Sequence, residues 1–175
     1  MSVLDAFLST WSNAKATFGE GSPLTGDRYD GSSQLRQLQG NLEAAAPGSR
    51  WTGAAADAYG TANADHGKVL GQLAGLDQRL GAQIDQSSQV VATGRNDLDA
   101  VRKWVVDAAA AVPNGANREQ TLMPIVSRGL SQVTDIVSKS NEDLVQIGAT
   151  ISALGSEYAA LGDQKVNISG GFDHE

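Results

Sequence analysis

The chain has 175 residues, of which 41% are apolar and 5% aromatic, and it contains no cysteine. Its length predicts one domain, and packing left to Ala, Leu, Val and Gly suits close-set helices better than a sheet sandwich. Disulfides, thiolate metal sites and thiol nucleophiles are excluded, and a formal net charge of −7 opposes nucleic-acid phosphate and gives no support for an anionic membrane.

The first residues, Met1-Ser2-Val3-Leu4-Asp5, lack a basic leader and a long apolar run, so no cleavable signal peptide is predicted. No stretch approaches the roughly 20 apolar residues of a membrane span. Leu4, Phe7, Leu8, Trp11 and Ala14 recur at steps of three and four and predict a first helix over 2–16, with Ser2 as its cap. Residues 19–31 read as a loop, because Gly19, Gly21, Pro23, Gly26 and Gly31 break any period. Within it, Asp27-Arg28-Tyr29-Asp30-Gly31 lacks the ligand alternation of a calcium loop, and Asp30 reads as a turn former or helix cap.

A second helix is expected over 32–46, with a seam of Leu35, Leu38, Leu42 and Ala45, ended by Pro47-Gly48. The corner at 47–53 contains Trp51-Thr52-Gly53 and opens the third helix, 54–111. The third helix has a countable seam: Val69, Leu73, Leu76, Leu80, Ile84, Ser87, Val91, Gly94, Leu98, Val101, Val105, Ala108, Val112. Its steps follow a heptad pattern except at Leu80 to Ile84, where a second four-residue step should locally unwind a supercoil. Unbroken, this helix would span on the order of 85 Å.

Val112-Pro113-Asn114-Gly115 is a stop, after which Asn117 or Thr121 can cap a fourth helix with Pro124 in its first turn. That helix is expected to run to about 162, on a seam of Val133, Val137, Ser140, Leu144, Ile147, Ile151, Leu154, Tyr158 and Leu161. Two long helices with matched seams and a short turn should pack antiparallel. Pairing counted from Pro113 puts Tyr158 near residues 68–72. The predicted organisation is one helical-bundle domain over 1–165 and a flexible tail over 166–175; the sequon Asn167-Ile168-Ser169 lies in that tail.

Catalytic chemistry finds no foothold. His66 and His174 are the only histidines, and neither has a partner at zinc-ligand or triad spacing. Asp97, Asp99, Asp107, Asp135, Glu142 and Asp143 read as solvated helix charge. No glycine-rich loop lies between a strand and a helix. Neither an enzymatic activity, a metal nor a cofactor is expected. Trp51 has two readings: a plug at the end of the bundle, or a docking residue of the kind enriched in binding hot spots.

The run Trp51-Thr52-Gly53-Ala54-Ala55-Ala56-Asp57-Ala58-Tyr59 resembles the Trp-x-Gly corner of the helical-hairpin substrates of type VII secretion systems. Residues 50–80, with Ala62-Asn63-Ala64-Asp65-His66 and Leu73-Ala74-Gly75-Leu76-Asp77-Gln78-Arg79-Leu80, are similar to the N-terminal domain of mycobacterial EspA/EspE-type secretion-associated proteins; the Leu-Asp-x-x-Leu run is the most specific part. The resemblance extends over roughly 32–105. It implies an all-α, elongated antiparallel bundle built on a Trp-x-Gly hairpin, in a non-enzymatic protein exported to the cell surface or beyond. It also implies recognition by the secretion machinery or a chaperone, with a helical partner or self-association possible. Trp51 and Gly53 carry over cleanly. The family's second signal, a tyrosine with an acid four residues on, has no strict copy; Tyr158 with Asp163 is a variant one residue longer, or a partner chain brings the signal. The alternative is a helical adaptor that oligomerises through its heptads, for which exposure of Leu70, Val90, Val106 and Val145 would speak.

Overall fold

The computed structural model describes residues 2–45 and 53–170, with side chains described as far as residue 163 in the last helix. Among these residues there are four α-helices and one 3-10 turn, and no strand: α1 Val3–Thr17, η1 Gly26–Tyr29, α2 Ser32–Ala44, α3 Ala54–Ala110 and α4 Arg118–Gly170. Trp51 and Thr52 lie outside the described residues. The chain divides into two compact units, one of 1–23 with 86–147 and the other of 24–85 with 148–175.

In the first unit α1 is docked along α3 and α4. It begins on a capping box. The Asp5 N–H donates to Ser2 Oγ at 3.1 Å and the Ser2 N–H returns to the Asp5 carboxylate at 3.3 Å; two otherwise orphaned N–H groups are thereby satisfied. Phe7 is fully buried in a cluster with Leu98, Val101 and Val105 of α3 and Val126 and Val133 of α4. Its ring fits because residue 129 is glycine. A Cβ there would stand 2.9 Å from the Phe7 ring and 2.6 Å from Val105 Cγ2. Phe18 uses a similar notch, at Gly94, where a Cβ would come within 2.3 Å of its ring.

Polar contacts then fix the register of α1. Trp11 Nε1 donates to the Leu98 carbonyl at 2.6 Å, and Lys15 and Arg102 lie over the indole, 5.5 and 5.3 Å from its centroid. The Arg95 guanidinium donates to the carbonyls of Phe18 (2.9 Å) and Gly21 (2.6 Å) and so satisfies acceptors just past the end of the helix.

In the second unit α2 lies antiparallel along α3. Leu35 and Leu42 are half-buried, as their seam required, but Leu38 is 51% exposed and Ala45 is exposed. Gln39 takes the inward place instead, since Gly71 and Gly67 leave room for its side chain against α3. Upstream, η1 crosses α3 at a glycine pair: a Cβ on Gly26 would fall 1.9 Å from the Gly81 carbonyl oxygen. Leu76 of α3 and Leu154 and Leu161 of α4 form the apolar cluster of this unit, with Leu73, Leu80 and Tyr158 packed on it.

The long seams are occupied as their spacing predicts. Every residue of both seams is buried or half-buried within the chain. Of the four off-seam residues named for the adaptor alternative, Val145 is exposed and Leu70, Val90 and Val106 are half-buried. Three readings need correction. Pro124 sits inside α4 beyond its first turn; its missing N–H leaves the Gln120 carbonyl without a helical donor, at an exposed position. α4 also continues past Gly162 to Gly170, because one glycine costs only about 1 kcal/mol and no proline follows. Tyr158 stands opposite Asp77 rather than residues 68–72, because the start of α4 overhangs the end of α3: Gly129, not residue 121, faces Val105.

Candidate functional site

The residues of interest lie in the second unit, on α3 and the last turns of α4. Tyr158 follows Leu154 by four residues and precedes Leu161 by three, so it shares their inward face and is half-buried. Its hydroxyl donates to Asp77 Oδ1. The other carboxylate oxygen of Asp77 accepts the Gly31 N–H at 3.2 Å, immediately before α2. Gly31 suits this approach, since a Cβ there would lie 2.8 Å from Asp77 Oδ2. One carboxylate therefore receives a donor from α4 and another from the start of α2. Burial, with the hydrogen bond to Asp77 next and its negative charge after that, holds the Tyr158 hydroxyl well above the usual phenol range.

Neighbouring contacts tie α4, η1 and α2 to α3. Arg79 pairs with Glu157, and both are about half exposed, so the pair adds little to stability. Eight residues after Asp77, Asp85 Oδ1 accepts the Gly26 N–H at 2.6 Å. Asn63 Nδ2 donates to the Leu42 carbonyl near the end of α2. Asp30 does act at a helix start, accepting the Ser32 N–H at 2.9 Å; hydrogen bonding to the Ser32 side chain first, and to that N–H second, lowers its carboxyl from the usual value.

Of the sequence-derived positions, Gly53 is described: it is exposed, with φ +109°, and its carbonyl accepts the Asp57 N–H at 3.0 Å to start α3. Only glycine adopts such a φ readily, whereas no neighbour blocks a side chain there. Trp51 lies outside the described residues. Asp163 is exposed on α4; because the helix continues, five residues rotate it about 140° from Tyr158. The acid that meets the tyrosine is Asp77, reached across the helix pair. Asp77 lies within the Leu76-Asp77-Gln78-Arg79-Leu80 run, where helical spacing alone assigns it no contact. A carboxylate beside the seam residue Leu76 was the available signal. Among the described residues, no group of three or more His, Cys, Asp or Glu could hold a metal ion.

Residues 18–100 match the EspA/EspE family. The chain is 28% identical over 162 residues to ESX-1 secretion-associated protein EspE of Mycolicibacterium smegmatis, covering 85% of this chain and 30% of that protein. It is 28% identical over 130 residues to ESX-1 secretion-associated protein EspA of Mycobacterium tuberculosis, covering 74% and 32%. With the EspE of Mycobacterium tuberculosis it shares 33% over 88 residues, covering 50% and 22%. The chain thus spans about a third or less of the length of the curated relatives it matches. No solved structure matches it. The chain is similar in part to the mycobacterial EspA/EspE family, and the matched segment contains η1, α2, Gly53 and Asp77.

Proposed function

We propose that this chain is a non-enzymatic substrate or secretion-associated protein of a type VII secretion system, delivered to the cell surface or beyond. The similarity of residues 18–100 to the EspA/EspE family carries the reading. The all-helical architecture agrees with it, as does the finding that no helix among the described residues is long and apolar enough to cross a membrane. The recognition residues in this reading are Trp51 and Gly53 at the corner before α3, with Tyr158 and Asp163 on α4. The positive φ of Gly53 supports a chain reversal that requires glycine there. The partner is the secretion machinery or a chaperone that reads the corner and the tyrosine together.

The adaptor alternative loses support because the chain's own helices already bury the heptad seams. Replacing Trp51 with alanine tests the proposal: export should fall while helix content by circular dichroism is kept. Unchanged export would reduce the corner to a structural role.

A further inference from the structure

We infer that Asp77 is the positioning residue for Tyr158 and that the same carboxylate fastens the start of α2, so that seating of α2 and placement of the tyrosine are coupled. The inference rests on the proposed function only where it treats Tyr158 as a recognition residue.

α2 is held mainly by polar contacts. The helix has no buried residue, and one of its three leucines, Leu38, is 51% exposed. Apolar burial therefore does little to seat it. Polar contacts do more: Asp85 accepts the Gly26 N–H, Asp77 the Gly31 N–H, and Asn63 donates to the Leu42 carbonyl. Hydrogen bonds to a carboxylate are stronger than neutral ones, yet a segment held mainly by a few of them belongs to the readily opened part of a fold.

Asp77 divides its two oxygens between the two elements. Oδ1 takes the Tyr158 hydroxyl and Oδ2 the Gly31 N–H. Each donor fixes the carboxylate rotamer that the other needs. Lifting α2 releases one restraint on Asp77, and Tyr158 is then held by a freer partner. Conversely, drawing Tyr158 away loosens the start of α2, because coupling between two binding events is reciprocal. A partner that engages Tyr158 would in this way also unseat α2.

Amide hydrogen exchange on the full chain tests this with two variants. Asp77→Asn keeps the size of the side chain but offers a single acceptor oxygen. Exchange at Gly31 and in the first turns of α2 should accelerate about tenfold, the loss of one charge-assisted hydrogen bond, while amides around Leu76 and Leu154 stay protected. Tyr158→Phe, which leaves both Asp77 oxygens intact, should accelerate the same α2 amides about threefold, from the rotamer freedom that Asp77 regains. In the double variant the effects should combine to less than their product. Unchanged α2 exchange in both single variants, or a fully multiplicative double variant, overturns the coupling. Export of the same variants gives a separate result: altered exchange with normal export keeps the coupling and removes Tyr158 from recognition.

Discussion

The hydroxyl of Tyr158 donates to the carboxylate of Asp77, 81 residues earlier in the chain. The contact joins the last turns of α4 to the middle of α3, beside the Leu76, Leu154 and Leu161 cluster. It has a measurable electrostatic consequence. Burial and the adjacent carboxylate raise the folded-state value of the phenol above that of a free tyrosine, near 10. The stability this shift contributes is fully present below about pH 10 and is lost as pH rises through the folded value. A spectrophotometric titration should show a tyrosine phase above the range of a free phenol, and Tyr158→Phe should remove that late phase. In Asp77→Asn the late phase should move down toward the free-phenol range.

The crossing of η1 over α3 allows no side chain. Gly26→Ala would place a methyl 1.9 Å from the Gly81 carbonyl oxygen, and relieving such a clash typically costs about 1–3 kcal/mol. Gly75 lies on the same helix, with nothing within 4 Å of a Cβ. There alanine should stabilise the protein by about 1 kcal/mol through helix propensity alone. Denaturant unfolding of the two variants should move in opposite directions.

Phe7 is the anchor of α1. It is fully buried between α3 and α4, and Phe7→Ala should destabilise the first unit by about 3–5 kcal/mol. Gly129→Ala should also destabilise it, by about 1–3 kcal/mol, because its methyl enters the space of the Phe7 ring. Hydrogen exchange in residues 3–17 reports both effects locally.

Gly53 separates backbone conformation from contact. Its Cβ position is open but its φ is +109°, so Gly53→Ala should cost about 1–2 kcal/mol through strain. Exchange in the first turn of α3, where the Asp57 N–H meets the Gly53 carbonyl, should increase.

Long seams made most of this fold legible in the sequence. α3 and α4 each carry many apolar residues at steps of three and four, and a long series averages out single exceptions such as Ser87 and Ser140. α2 is short, and its seam failed at Leu38, because two glycines 28 and more residues away, Gly67 and Gly71, make room for Gln39. The glycines of residues 19–31 were legible as breakers of periodicity. Their tight approach at Gly26 and Gly31 depended on α3, which local pattern cannot supply. The motif resemblance singles out Tyr158 and points to an acid along the same helix, at Asp163. The partner it meets comes from another helix, so helical spacing could not locate it.

Export of the full chain from cells that carry a type VII system decides the role of Trp51, with wild type and Trp51→Ala compared at equal intracellular abundance and matched helix content. The variant should accumulate inside the cell and be depleted from the exported fraction by at least about tenfold, as expected when a recognition hot spot worth about 1.4 kcal/mol or more is removed. Export of Trp51→Ala at the wild-type level would contradict a recognition role for Trp51.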